Sequence, residues 1–138
     1  MLSRKLISLA RVQGKRARGN MTKEKKSYDL HVELPDTISK NQVMDIIEKA
    51  ANSANLYISH IGSYSRKKYP NSVHWHFKRN KNEVGLIDAT YWDIKSLLWL
   101  MIRHREPTWV HKTAPMLQKA ISQEIEEISG SSGHKNEC

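Results

Sequence analysis

Two hydrophobic spacings alternate along the chain from residue 28 onward. Residues 28–34 (YDLHVEL) repeat every second position, with Tyr28, Leu30, Val32 and Leu34 on one face and Asp29, His31 and Glu33 on the other, which predicts a half-buried strand. Pro35 ends it, Asp36 or Ser39 offers a cap, and Val43, Ile46, Ile47, Ala50 and Ala54 recur at helical spacing to about Asn55. A second strand is predicted from about Leu56 to Ser63, then a loop over residues 65–72 (SRKKYPNS) with the Pro, Asn and Ser content of irregular backbone. The third strand, Val73 to Lys78, has the clearest alternation: Val73, Trp75 and Phe77 face one way, His74, His76 and Lys78 the other. RNKNE (79–83) forms a polar hairpin turn, Val84 to Trp92 a fourth strand, and Asp93 to Lys95 a tight turn. Leu97 to Ile102 is apolar at every position, as suits a strand in the middle of a sheet or covered on both sides. A last helix is predicted from about Ala114 to Ser129, with Thr113 as cap, Pro115 in the first turn, Leu117, Ile121, Ile125 and Ile128 inward, and Gly130 as the stop.

The order β-α-β-β-β-β-α specifies an α+β domain, with an antiparallel sheet of about five strands and two helices packed on one face. Four consecutive strands pair as a meander. This element order resembles the fold seen in TATA-box-binding proteins and in helix-grip ligand carriers. The resemblance lies in the order alone and carries no sequence motif, so it implies a fold and no function.

Charge changes the picture only when it is located. The chain of 138 residues has a formal net charge of +9. Residues 1–26 hold nine Lys and Arg against Glu24, a balance of +8, and the remaining 112 residues hold fourteen against thirteen acids, a balance of +1. The expected organisation is a basic, disordered extension over 1–26, a single domain over 27–130 and a disordered tail over 131–138. Residues 1–19 (MLSRKLISLARVQGKRARG) contain no acid and place Leu2, Leu6 and Leu9 near one helical face, the pattern of a mitochondrial presequence. A plain solvated extension, sequence upstream of a true start at Met21, and a nucleic-acid-binding arm are the other readings. The expected location is the cytoplasm, or the mitochondrial matrix if 1–19 is a presequence. The single cysteine, Cys138, excludes an internal disulfide and fits a reducing compartment. The longest apolar run, Leu97 to Ile102, is far below the 18 or so residues of a membrane span, so no membrane partner is expected.

Two constellations bear chemistry. If the helices cover the face bearing Leu30, Val32, Val73, Trp75 and Phe77, the opposite face presents Asp29, His31, Glu33, His74, His76 and Lys78, and His60 and Asp88 can join it. His74 and His76, at i and i+2, point the same way about 6.5–7 Å apart. Imidazoles titrate near neutrality and bind divalent metal, but a metal needs a third ligand, for which His31, His60 and Asp88 are the candidates. The bland alternative is a set of solvated His on an open sheet face. The second constellation, residues 63–79 (SYSRKKYPNSVHWHFKR), interleaves Arg66, Lys67, Lys68, Lys78 and Arg79 with Tyr64, Tyr69, His74 and His76. Cations that neutralise phosphate, beside rings that stack on bases, are what single-stranded or structured RNA requires. Its bland alternative is a solvated basic loop. Trp92, Trp99 and Trp109 with Tyr91 are packing material, and Arg103 and Arg105 can bind an acidic group.

No glycine-rich phosphate loop, nucleophile elbow, His-Glu-x-x-His or nucleophilic Cys within the fold is present, which lowers the expectation of an enzyme. The reading reached is a small binding module for a phosphate-rich partner, RNA or DNA fitting best, contacted by Arg66, Lys67, Lys68, Tyr69, His74, His76, Lys78 and Arg79. No catalytic residue, metal ligand or cofactor is assigned. A small metal- or His-dependent hydrolase using the His-rich face and a protein-interaction domain stand as alternatives.

Overall fold

The computed structural model describes residues 26–134. The presequence-like segment and the last four residues of the expected tail lie outside them. The elements are β1 (Ser27–Val32), α1 (Lys40–Ser53), β2 (Tyr57–Gly62), β3 (Ser72–Lys78), β4 (Ile87–Trp92), a 3-10 turn (Asp93–Lys95), β5 (Leu97–Arg103) and α2 (Thr108–His134). All five strands form one antiparallel sheet in the order β1-β5-β4-β3-β2. The expected meander is therefore β2 to β5, and β1 adds to its far edge by pairing with β5. Among the described residues no helix is long and apolar enough to cross a membrane.

The period-two pattern places alternate residues on the helix side. Val73, Tyr91, Leu98 and Val32 form one row across β3, β4, β5 and β1, and Trp75, Ala89, Leu100 and Leu30 form the next. Ala89 is the small residue facing the Trp75 indole, so a large ring and a methyl group share one layer. Against these rows lie Val43, Ile46, Ile47 and Ala50 of α1 and Val110, Ala114, Leu117, Ile121 and Ile125 of α2. Each fully buried Val, Leu, Ile or Phe contributes about 1.5–3 kcal/mol before chain entropy is set against it. The two helices pack on each other, with α1 over β2 and α2 over β1 and β5.

Local chemistry fixes the helix ends. Ser39 caps α1 with a reciprocal capping box: its Oγ accepts from the Gln42 N–H at 3.1 Å, and Gln42 Oε1 accepts from the Ser39 N–H at 2.9 Å. The sequence placed the start of α2 too late. It begins at Thr108, not Ala114, so Trp109 and Val110 lie inside it, Pro115 is an interior residue, and the helix continues past Gly130 to His134. An interior Pro costs a helix about 3 kcal/mol, and the burial of Trp109 and Val110 in the core offsets that cost. Two strands are shorter than expected, β1 ending at Val32 instead of Leu34 and β4 starting at Ile87 instead of Val84.

The 84–86 segment lies outside the strand ladder and is tied to α2 through Trp109. Trp109 Nε1 donates to the Val84 carbonyl at 2.9 Å, and its ring lies against Gly85, whose φ is 129°. A methyl group at Gly85 would stand 2.5 Å from Trp109 Nε1 in a backbone conformation that L-residues rarely adopt. Gly85→Ala is therefore expected to cost about 2 kcal/mol or more, a fall in Tm on the order of 10 °C. Gly62→Ala meets only the end of the exposed His60 ring and is expected to cost under about 1 kcal/mol. Equal shifts in thermal melts of the two variants would contradict the seating of the indole against Gly85.

Candidate functional site

The face away from the helices is assembled in rows set by register. His60 of β2, His76 of β3, Asp88 of β4, Met101 of β5 and Asp29 of β1 make one row, and Gly62, His74, Thr90, Trp99 and His31 the adjacent one. A bulge between Ile58 and His60 brings His60 onto this face beside His76, with ring centroids 5.0 Å apart.

Asp88 is the centre of the first row. It lies on the middle strand and is 1% exposed, yet neither carboxylate oxygen has a hydrogen bond of good geometry. Charge takes that role. Arg103 Nη1 stands 3.0 Å from Oδ2, and the same guanidinium nitrogen is 3.6 Å from Glu106 Oε2. Oδ1 is faced by His76 Nε2 at 3.3 Å and His74 Nε2 at 3.7 Å. His74 is fixed from behind, its Nδ1 2.8 Å from the Thr90 hydroxyl on the facing position of β4. One donor atom from each of His74, His76 and Asp88 lies within 4.8 Å of the other two, so among the described residues these three could hold a metal ion.

Environment sets the protonation states. Burial lowers the His76 pKa from its ordinary value, and the charges of His74, His60 and Arg103 push the same way, outweighing the attraction of Asp88. Burial alone would raise the Asp88 pKa, but His74 and Arg103 hold it below the ordinary carboxylate value. The 3.7 Å separation makes the His74 contribution one of charge and dipole more than of a formed hydrogen bond. At neutral pH the cluster therefore holds a neutral His76 beside an ionised Asp88.

Residues 63–71 fold back onto this face. The Ser72 hydroxyl accepts from the Tyr64 N–H at 3.0 Å and donates to the Tyr64 carbonyl at 3.1 Å, while the Tyr69 N–H donates to the Ser65 carbonyl at 2.7 Å. Ser65 and Asn71, both at positive φ, supply the tight bends. The loop thereby stacks Tyr64 on His74 at 4.9 Å and on Tyr69 at 5.3 Å, and sets Tyr69 against Trp92 at 4.8 Å and Trp99 at 5.5 Å. Trp92 and Trp99 thus line the outer face, while Tyr91 and Trp109 belong to the helix side.

The eight residues singled out from the sequence divide into three groups. Arg66, Lys67 and Lys68 are exposed at the tip of the loop, and Tyr69 is half-buried at its base. His74 is buried beneath Tyr64, while His76 is partly open to solvent. Lys78 and Arg79 are engaged elsewhere: Lys78 Nζ donates to the Glu83 and Gly85 carbonyls at 3.0 and 3.3 Å, and Arg79 pairs with Glu83 and lies 4.7 Å over the Trp109 ring. Sequence reasoning passed over Thr90, Tyr64's stacking on His74, and the placing of Arg103 on Asp88. The first was legible as an outward position two residues from Asp88; the other two needed the fold of the loop and the register of β5. In comparison with known proteins, no family model matches the chain and no curated protein matches it.

Both shifted groups make the fold sensitive to acid. For His76, whose folded pKa is depressed, the stabilisation is complete above the unfolded value of about 6.5 and is lost as pH falls below it. For Asp88, also depressed, it is complete above about 4 and is lost as pH falls through the lower folded value. In buffer containing a chelator, Tm is expected to be level above pH 7, to decline below about 6.5 and to fall faster below about 4. His76→Gln should flatten the first decline and spare the second. An unaltered profile between pH 6.5 and 5 in that variant would refute the assignment.

Proposed function

We propose that this domain is a binding module that takes a phosphate-bearing partner with flat rings, namely single-stranded nucleic acid, on the loop-bearing half of its open sheet face. The supporting observation is the fold of residues 63–71, which sets three exposed cations, Arg66, Lys67 and Lys68, at the rim of a surface of half-buried rings, Tyr64, Tyr69 and Trp92, backed by the buried Trp99. Lys68 Nζ lies 5.5 Å over the Tyr69 ring, so charge and ring are presented together. Cations that track a backbone beside rings that stack on bases supply the two terms of sequence-tolerant strand binding. His31 and His60 extend the same face and are exposed. Lys78 and Arg79, committed to the hairpin and to Trp109, leave the proposed contact set.

The test is fluorescence anisotropy with a labelled single-stranded RNA of mixed sequence, on chains that all retain residues 1–26. Changing Arg66, Lys67 and Lys68 together to Glu is expected to weaken binding at least tenfold and to reduce the slope of log affinity against log salt by about two, from roughly 0.7 per phosphate contact. Tyr69→Ala should remove about 1–3 kcal/mol of stacking with little change in that slope. Affinity and slope unchanged in the triple variant would end this reading and leave the basic N-terminal segment as the source of any binding.

A further inference from the structure

We infer that His74, His76 and Asp88 form a binding site for one late first-row divalent metal ion of the zinc type, argued from observations other than those behind the partner proposed above. Zinc-type ions take imidazole nitrogen and carboxylate oxygen together, whereas hard cations such as magnesium and calcium prefer all-oxygen shells. Bonds of about 2.0–2.1 Å at a tetrahedral angle set neighbouring donor atoms about 3.4 Å apart. Oδ1 of Asp88 stands 3.3 Å from His76 Nε2 and 3.7 Å from His74 Nε2, near that spacing for both carboxylate–imidazole pairs, and all three donors lie within 4.8 Å of one another.

Three further observations point to an ion. Asp88 is buried at 1% exposure, and while Arg103 stands against Oδ2, Oδ1 has no hydrogen bond and faces only the two imidazoles, a buried acceptor that a second cation would satisfy. His74 has its other ring nitrogen held by Thr90 at 2.8 Å, the orienting contact that metal-bound imidazoles regularly have. Arg103 occupies Oδ2 alone and leaves Oδ1 to the His side. Its positive charge opposes a metal, but Glu106 lies 3.6 Å from the same guanidinium nitrogen, so two carboxylates against one guanidinium leave the group one net negative charge. Two strands supply all three donors: His74 and His76 alternate on β3, and Asp88 is the residue directly facing His76 on β4. The backbone ladder therefore holds the spacing without help from a loop. With three protein donors, at least one coordination position remains for water or a ligand atom.

The test uses the full chain without an affinity tag, stripped with chelator and desalted, then titrated with zinc by calorimetry and with cobalt(II) by visible absorption. One ion per chain is expected, with affinity at least tenfold weaker in His76→Asn and in Asp88→Asn, and about tenfold weaker in Thr90→Val through loss of the orienting contact. His31→Ala, on the same face but outside the donor set, should bind as the parent does. Circular dichroism reports whether each variant folds; if Asp88→Asn does not, the partly exposed His76→Asn decides alone. No binding up to millimolar metal, or undiminished binding by folded His76→Asn, overturns the site.

Discussion

Everything on the outer face follows from one constraint: each strand turns successive side chains to opposite sides, and both helices cover the same side. Once Trp75, Phe77, Ile87, Leu98 and Leu100 are sealed beneath α1 and α2, the neighbours of those residues have no choice of direction. His74, His76, Asp88 and Thr90 must meet on the other side, at the middle of the sheet, where flanking strands and residues 63–71 shield them from water. A polar group in that position is costly unless its neighbours satisfy it. The composition of the cluster answers that demand, with a guanidinium and two imidazoles turned on one carboxylate and a hydroxyl behind one of the imidazoles.

The same accounting separates structural cations from available ones. Lys78 lies on the outer side of β3 by alternation, yet its ammonium group satisfies two carbonyls of the hairpin that follows. Arg79 is spent on Glu83 and on the Trp109 ring, joining that hairpin to α2. Both hold the connection between β3 and β4, and with it the register that sets His76 opposite Asp88. Arg66, Lys67 and Lys68 have no such duty. Position in sequence made five cations look alike; position relative to backbone carbonyls and acids distinguishes them.

That contrast shows what was legible beforehand. The strands, their order and the faces of β3 follow from local alternation, which a window of six residues contains. The start of α2 does not, because RHREPTWVH carries the Pro and charge of a loop, and only the core contacts of Trp109 and Val110 reveal it as helix. Asp88 was visible as one of several possible third donors, but choosing it over His31 and His60 requires the register of β3 against β4, which depends on a hairpin of irregular length. Arg103 is further still, since it reaches Asp88 only because the β4–β5 pairing sets Met101 opposite Asp88 and the guanidinium two residues on beside it, and Glu106 joins through Arg103. Local pattern determines which way a side chain points, while non-local pairing determines what it meets.

Tyr64 makes the two halves of the outer face a single unit. Its ring lies flat on His74, one of the three converging donors, and its backbone N–H and carbonyl are both tied to Ser72 at the head of β3. A change in the direction of His74 therefore moves the surface on which Tyr64 rests, and Tyr64 in turn carries Tyr69 through their stacked rings. Any ligand that fixes His74 stiffens the base of the loop bearing Arg66, Lys67 and Lys68, and any partner that fixes the loop limits the rotation of His74. Linkage requires such an effect to be equal in both directions. The packing of one tyrosine thus gives the buried charge cluster and the base of the exposed basic rim a shared contact.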